Sequence, residues 1–175
     1  MRVIGGRLRS RRLKPVPGLH TRPTPDRLRE ALFNVLTPRI ANATFLDAYA
    51  GTGSVGIEAL SRGADKAILI ERSPAALAIL RANLRALQLT EEAVVVRGSA
   101  AAVLSAYRCD IAFLDPPYEE IGEYQKAMVA LDASQCPLVI AQHTSRFALE
   151  ERYGTLHKQR VLKQGDNSLS FYERA

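Results

Sequence analysis

Residues 115–118 of this chain read Asp-Pro-Pro-Tyr and follow directly on a run of apolar residues. Because proline has no backbone N–H to give to a sheet, a strand must stop where the two prolines begin. Asp115 and Tyr118 are therefore expected to stand close together on a rigid segment at a strand end. A carboxylate can hold the N–H bonds of an amine, and a tyrosine face can stack on a flat ring. The tetrapeptide thus suits chemistry on an amino group of an aromatic ring.

A glycine pattern lies upstream of this segment. Gly51, Gly53 and Gly56 have the spacing G-x-G-x-x-G between a predicted strand and a predicted helix. Glycines in this context allow a sharp turn and a close approach of the backbone to a ligand. Glu71 ends the next predicted strand, where an acid can bind the hydroxyls of a ribose. The pattern could also be a simple tight turn, but the order of loop, acid and strand favours a nucleoside site.

Two nucleoside cofactors fit this loop, a nicotinamide dinucleotide and S-adenosylmethionine. Asp47 favours the second, because a carboxylate repels the phosphates of a dinucleotide but attracts an ammonium and a sulfonium. The third predicted strand ends before Ser99-Ala100, where polar and backbone groups can bind an adenine edge. The predicted cofactor contacts are Asp47, Tyr49, Gly51, Thr52, Gly53, Glu71, Arg72, Ser99, Ala100 and Asp115.

The chemistry predicted for this site is methyl transfer to an exocyclic amine of a nucleic acid base. Such a nitrogen is a poor nucleophile because its lone pair is delocalised into the ring, and acceptors that hold its N–H bonds favour a more reactive nitrogen. The base must leave its stack to reach them. The predicted catalytic residues are Asp115, Pro116, Pro117 and Tyr118. The simpler alternative is a strand end with a surface acid.

Strand and helix patterns alternate along the chain and predict an α/β fold. Continuous apolar strands such as 66–71 and 109–115 indicate a Rossmann-like, mostly parallel sheet with helices on both faces. Two runs that flank Gly165-Asp166-Asn167 predict a C-terminal antiparallel hairpin.

The N-terminal part is expected to be an extension of this fold. Thr24 and Pro25 are good residues for opening a helix, and Pro38 is expected to end it. We therefore divide the chain into a basic extension with its helix, residues 1–38, and a methyltransferase domain, residues 39–175.

The net charge of +6 is concentrated at one end of the chain. The first 25 residues carry +7 and no acid, which leaves −1 on the remainder. A basic arm on a nearly neutral body is typical of proteins that bind polyanions, although a solvated tail has the same composition. The arm is expected to form a small hairpin or to wrap on the body. The predicted RNA contacts are Arg2, Arg7, Arg9, Arg11, Arg12, Lys14, Arg22, Thr24, Arg27 and Arg29.

Other features of the composition exclude several classes of protein. No apolar run approaches the roughly 18 residues of a membrane span, and the N-terminus lacks the apolar region of a secretory signal, so we expect a cytoplasmic protein. The histidines and cysteines show no metal-ligand spacing. Cys136 is adjacent to a proline, as is the nucleophile of carbon-5 cytosine methyltransferases, but its place at the start of a predicted core strand favours a packing role.

Two stretches, DAYAGTGSVGIEALSRGA and FLDPPY, resemble class I S-adenosylmethionine-dependent amino-methyltransferases that act on nucleic acid bases. The opening RVIGGRLRSRRLKPVPGLHTRPTPDRLREALFNVL is similar to the bacterial 16S ribosomal RNA guanine-N2 methyltransferase family. The shared features there are Ile-Gly-Gly, an arginine cluster and the run from Arg22 to Asn34. The resemblance covers residues 2–118 well and the C-terminal third loosely.

The resemblance implies methyl transfer to N2 of one guanine in 16S rRNA, on an assembled or nearly assembled small subunit. It also implies cofactor contacts from the glycine loop, Glu71 and Ser99-Ala100, and catalysis by residues 115–118. Many class I enzymes have an acid where Ser99 stands, so adenine contact here depends more on backbone groups. Two other functions fit the same residues: adenine-N6 methylation of DNA or RNA, and a catalytically silent RNA-binding assembly factor.

Overall fold

The computed structural model of the chain describes residues 1–18, 24–117 and 120–175. The helices in these ranges are α1 (Asp26–Ile40), α2 (Ser54–Ser61), α3 (Pro74–Ala86), α4 (Ala100–Val103) and α5 (Ile121–Ala133), with a 3₁₀ turn over Leu104–Ala106. The strands are β1 (Thr44–Asp47), β2 (Lys66–Glu71), β3 (Ala93–Arg97), β4 (Ile111–Leu114), β5 (Leu138–Thr144), β6 (Arg152–Tyr153), β7 (Leu156–Gln164) and β8 (Asn167–Arg174). Among the described residues, no helix is both long and apolar enough to cross a bilayer.

The eight strands form one sheet in the order β3-β2-β1-β4-β5-β8-β7-β6. The strands β1 to β5 pair in parallel, and β8, β7 and β6 continue the sheet in antiparallel pairs. This topology confirms the predicted mostly parallel sheet with a C-terminal antiparallel hairpin. The sequence does not predict β6, because two residues are too few to show an alternating pattern.

Helices cover both faces of the sheet. Phe45 of β1 belongs to a buried cluster that includes residues of α1, α2 and α3, whereas its neighbour Leu46 belongs to a second cluster with residues of α5. Strand β1 lies between β2 and β4, so the chain order reverses at this point of the sheet. In open α/β sheets, ligands bind at the carboxyl ends of the strands at such a reversal.

The ends of α1 differ from the prediction. Thr24 does not cap the helix: Pro25 occupies the N-cap position, without a capping side-chain bond. Thr24 is instead buried and directs its hydroxyl toward Asp115 and Gln142. Pro38 lies inside the helix, which continues to Ile40. A proline in the last turn removes one backbone hydrogen bond, and only two residues follow it.

The basic arm forms a hairpin, and this hairpin packs on the body. Both the expected hairpin and the expected packing on the body therefore occur. Arg2 and Arg12 form an antiparallel bridge. Val3 and Leu13 are buried in the same cluster as Phe45, so the hydrophobic core extends across the predicted boundary at 38/39. Backbone N–H groups of Ile4 and Gly5 donate to the buried Glu58 carboxylate of α2 at 2.9 and 2.8 Å. The arm is therefore packed on the fold and is not a solvated tail.

Gly56 permits the close packing of α2 on the sheet. A Cβ built on Gly56 would lie 2.2 Å from Cδ2 of the buried Leu69. We expect Gly56→Ala to lower the free energy of unfolding by about 1–3 kcal/mol, as for other overpacked cores. Urea unfolding of both this variant and Gly122→Ala tests the prediction. No described atom lies within 4 Å of a Cβ at Gly122 of α5, so this control should match or exceed wild-type stability. Equal stability of the two variants would contradict the packing role of Gly56.

Candidate active site

A cavity of about 670 Å³ lies at the carboxyl ends of the parallel strands. Small-molecule sites usually have about 300–1,000 Å³. Asp47 at the end of β1, Glu71 at the end of β2 and Asp115 directly after β4 all line this cavity. The three carboxylates, which are far apart in sequence, therefore meet around one space.

Glu71 is held by the backbone of two loops. The Gly51 N–H donates to Glu71 Oε2 at 2.8 Å, and the Ser73 N–H donates to Oε1 at 2.8 Å. A carboxylate oxygen can accept more than one hydrogen bond, so both oxygens can still bind ligand hydroxyls. Gly51 has a φ of +55°, and a Cβ built there would meet no described atom within 4 Å. Its lack of a side chain keeps this edge of the cavity open.

Gly53 has a structural part in this loop and is absent from the described residues that line the cavity. It adopts a φ of +88° at the N-cap of α2, and a Cβ there would lie 2.4 Å from Leu80 Cδ1. The contact of Gly53 with a cofactor therefore stays a prediction. Its requirement for glycine comes from the backbone turn and from packing.

Asp47 is a buried carboxylate with an unused acceptor. Its Oδ2 accepts from the Gly56 N–H at 3.2 Å, while Oδ1 is buried and makes no hydrogen bond with the described residues. Burial raises the pKa of Asp47 to about 7, although the backbone N–H groups of Gly56 and Tyr49 oppose this shift. A cationic group of a ligand would give Oδ1 a partner and stabilise the ionised form.

Asp115 is half-buried beside Thr24. The Thr24 hydroxyl lies 3.5 Å from Asp115 Oδ2 and 3.3 Å from Gln142 Oε1. Burial raises the pKa of Asp115 to about 7, and the negative charge of Asp47 raises it further. Pro116 and Pro117 line the cavity next to this carboxylate. Tyr118, the fourth predicted catalytic residue, lies outside the described residues.

The remaining predicted cofactor residues line the cavity, namely Tyr49, Thr52, Arg72, Ser99 and Ala100. The Tyr49 hydroxyl donates to Glu123 Oε2 at 3.3 Å, and Arg72 forms an exposed ion pair with Glu120 at 2.9 Å. Both contacts connect the strand ends to the region around the start of α5. Ser99 is the N-cap of α4 and makes no side-chain capping bond, so its hydroxyl is not used for that purpose.

Part of the cavity wall comes from residues that were not predicted to line it. Met1, Pro15, Val16 and Thr24 from the N-terminal extension line the cavity. Apolar residues in a basic arm carry no local signal of a ligand site, because their place depends on how the arm packs on α2 and α3.

Most of the predicted RNA contacts have exposed side chains, and two of them are buried. The side chains that are exposed are Arg2, Arg7, Arg9, Arg11, Arg12, Lys14 and Arg27. Arg7 forms an ion pair with Glu92 at 2.7 Å. Arg22 lies outside the described residues.

Arg29 and Thr24 are corrections to that prediction, because both side chains are buried. Arg29 is 0% exposed, and its Nη2 donates to the Arg2 carbonyl at 2.7 Å and to Asp26 at 3.0 Å. Burial lowers its pKa. Arg29 therefore anchors the arm and has no surface for a phosphate.

Neither a metal-ligand cluster nor a nucleophilic thiol is found among the described residues at this site. No cluster of His, Cys, Asp and Glu suitable for a metal ion occurs in the described parts of the chain. Cys136 is buried two residues before β5 begins, at the amino end of that strand. The cavity lies at the opposite, carboxyl ends, so the thiol is not placed to attack a ligand there.

Comparison with known proteins decides the family. The family described as Conserved hypothetical protein 95 matches residues 1–173 of this chain. The chain belongs to this family. Its fold is the methyltransferase fold, and the predicted family is confirmed. S-adenosylmethionine is the cofactor that the Conserved hypothetical protein 95 family and this fold indicate.

Three proteins illustrate the likeness. YlbH of Bacillus subtilis, named as a proposed rRNA methyltransferase, is 36% identical over an alignment of 188 residues that covers 99% of each protein. Ribosomal RNA small subunit methyltransferase D of Escherichia coli is 46% identical over 123 residues, which is 67% of this chain and 60% of that protein. The solved structure of Escherichia coli yhhF, described as a proposed methyltransferase, gives a TM-score of 0.88 at 34% identity, covering 99% of this chain and 97% of that one.

The residues of the cavity fit S-adenosylmethionine. The buried Asp47 Oδ1 lacks a hydrogen-bond partner among the described residues, and a ligand ammonium would supply one. Glu71 keeps acceptors for ribose hydroxyls. A dinucleotide would instead bring phosphates toward three carboxylates.

Proposed function

We propose that this protein transfers a methyl group from S-adenosylmethionine to the exocyclic N2 of a guanine in 16S rRNA. The observation that carries the proposal is the position of Asp115 and the two prolines in the same cavity as Asp47 and Glu71. This arrangement allows an acceptor for an amine to stand beside a cofactor site. An rRNA substrate would place the protein in the cytoplasm.

The cofactor would be held at its methionine part and at its ribose. Asp47 would bind the ammonium of its methionine part, and Glu71 would bind its ribose hydroxyls. Ser99 and Ala100 would bound the adenine, with Ser99 able to donate or accept a hydrogen bond. When bound, S-adenosylmethionine supplies an electrophilic methyl group and becomes S-adenosylhomocysteine after transfer.

Residues 115–118 would orient the acceptor base. The Asp115 carboxylate and the Pro116 carbonyl accept the N–H bonds of the exocyclic amine and so direct its lone pair toward the methyl group. As the N–C bond forms, the amine loses a proton, and Asp115 is the nearest group proposed to receive it. Tyr118 would stack on the everted base, a contact worth about 1–3 kcal/mol. The prolines fix these acceptors with little loss of entropy.

Two separate observations favour guanine as the base and small-subunit rRNA as the substrate. The opening run from Arg22 to Asn34 is similar to guanine-N2 methyltransferases of 16S rRNA, and the name of the Escherichia coli relative specifies small-subunit rRNA. A folded RNA, within an assembled or nearly assembled subunit, can supply recognition through its own shape.

Mass analysis of modified rRNA tests this function directly. Small ribosomal subunits from cells that lack the gene are incubated with the purified protein and methyl-labelled cofactor, and the rRNA is digested to nucleosides. The expected product is labelled N2-methylguanosine at one position. Labelled N6-methyladenosine would replace the proposal with adenine methylation, and no labelled nucleoside under saturating cofactor would favour a silent assembly factor.

Residues 1–38 are proposed to contact the RNA, while 39–175 carry methyl transfer. The variant Arg2→Ala, Arg9→Ala, Arg12→Ala removes three exposed charges that form no ion pair among the described residues. We expect the slope of log affinity against log salt to decrease in magnitude by about 2–3, since each phosphate contact contributes roughly 0.7–0.9. Filter binding to 16S rRNA at several salt concentrations measures this slope.

The matched control replaces three exposed arginines outside the arm, Arg108, Arg146 and Arg152, with alanine. It changes the net charge equally, so a long-range charge effect would lower affinity in both variants. An unchanged slope in the arm variant would show that these side chains do not neutralise phosphates.

A further inference from the structure

The hairpin of the basic arm has its base at the cavity and its tip beside the last residue of α2. Its base is closed by the Leu13 N–H, which donates to the Met1 carbonyl at 2.9 Å, and Met1 and Pro15 line the cavity. Toward its tip, the Arg7 N–H donates to the carbonyl of Ser61, the last residue of α2. The base of the arm is thus a wall of the cavity, while its arginine side chains face solvent.

One buried side chain connects this wall to the glycine loop. Asn83 of α3 is 2% exposed. Its Oδ1 accepts from the Lys14 N–H at 2.8 Å, and its Nδ2 donates to the Lys14 carbonyl at 3.2 Å and to the Thr52 carbonyl at 3.0 Å. Thr52 lines the cavity. The arm and the glycine loop therefore share one hydrogen-bonding partner, although they belong to different segments of the chain.

We propose that Asn83 is a positioning residue that holds the arm against the cofactor cavity, so that RNA contact on the arm and cofactor binding strengthen each other. If the base of the arm moves away, the cavity loses Met1 and Pro15 and opens to water. RNA that holds the arm in place favours the closed arrangement, and cofactor affinity rises. By linkage, bound cofactor raises the affinity for RNA by the same factor. The RNA part of this inference rests on the proposed function.

Binding of S-adenosylhomocysteine without RNA tests the positioning role alone. Calorimetric titration of Asn83→Ala is expected to give a Kd about tenfold higher than wild type, as for the loss of one or two net hydrogen bonds. The matched control is Ser61→Ala. The Ser61 hydroxyl also holds the arm, since it accepts from the Leu8 N–H and donates to the Gly5 carbonyl, but neither of these partners lines the cavity. Its Kd should stay within about twofold of wild type if only the base of the arm matters.

Thermal unfolding of both variants shows whether a change in Kd follows a general loss of stability. If Asn83→Ala does not fold, Asn83→Ser serves in its place, because its shorter side chain cannot reach both Lys14 and Thr52. An affinity equal to wild type in the folded Asn83 variant would overturn the positioning role. So would an equal loss in Ser61→Ala. Because no RNA is present, these outcomes do not depend on whether rRNA is the substrate.

Equilibrium dialysis of tritiated S-adenosylhomocysteine with and without small ribosomal subunits tests the coupling. Wild type should bind the ligand at least about fivefold more tightly when subunits are present. Asn83→Ala should show a larger gain, because bound RNA restores the closed arrangement that this variant populates less, while Ser61→Ala should match wild type. No gain in wild type, or a gain in Asn83→Ala no larger than in wild type, would overturn the coupling. The proposed rRNA methylation would be untouched by either result, because it is read from the product nucleoside.

Discussion

Replacing Asp115 with alanine is expected to abolish measurable methyl transfer while leaving the affinity for S-adenosylhomocysteine within a few-fold of wild type. Asp115 stands in the cavity beside the two prolines, and Asp47 and Glu71 remain in the variant to hold the cofactor. A preorganised group that acts mainly in the transition state is worth about 10²–10³-fold in turnover. Single-turnover assays on small subunits with saturating cofactor, together with calorimetric titration, measure the two quantities separately.

Asp110→Ala is the matched control, because Asp110 lies at the opposite end of β4 from Asp115. Its Oδ2 accepts from the Thr44 N–H at 2.8 Å, and the residue is exposed and outside the cavity lining. Turnover of this control should stay near wild type. The catalytic role of Asp115 would be contradicted if its alanine variant bound cofactor poorly but kept normal turnover at saturation.

The parts of the fold that sequence predicts well depend on local chemistry. Ser73 caps α3 and Pro74 is the first residue of that helix, as the preferences of serine and proline predict. Gly63 follows α2 with a φ of +111°, a conformation that favours glycine. Apolar runs such as Lys66–Glu71 form the predicted buried strands. Because parallel strands point the same way, the order of these elements already brings Asp47 and Glu71 to one edge of the sheet.

The parts that sequence did not predict depend on contacts between distant segments. Arg29 is a charged residue near a helix start, which suggests a phosphate contact, yet the arm folds over it and buries it. Thr24 has the residue type of a helix cap, but its hydroxyl lies beside Asp115, 91 residues away. Glu58 and Asn83 bind arm backbone 53 to 69 residues away. Neither has a local pattern that distinguishes it from an ordinary helical residue.

Replacing Asp47 with asparagine is expected to weaken cofactor binding and, at the same time, to stabilise the free protein near pH 8. The folded-state pKa of Asp47 is about 7, above its ordinary value of 3.8. Between these two values the folded state binds more protons than the unfolded state, so this group's contribution to stability falls as pH rises toward 7. The Asp47→Asn variant has no charge to bury at this position. Its free energy of unfolding should therefore decline less between pH 3.8 and about 7.

The affinity for the cofactor is expected to rise with pH, whereas the contribution of Asp47 to stability falls. A cofactor ammonium requires ionised Asp47, so the wild-type affinity should rise with pH and level off above about 7, with a change of at most about tenfold per pH unit below it. Asp47→Asn should lose about 2 kcal/mol of binding free energy at pH 8, about thirtyfold in Kd, and should show a weaker pH dependence. Asp65→Asn, exposed just before β2, provides a control of equal charge change. Binding of Asp47→Asn with wild-type affinity at pH 8 would mean that the buried, unpaired Oδ1 does not face the cationic group. The site would then have to hold its cofactor through Glu71 and the other residues that line the cavity.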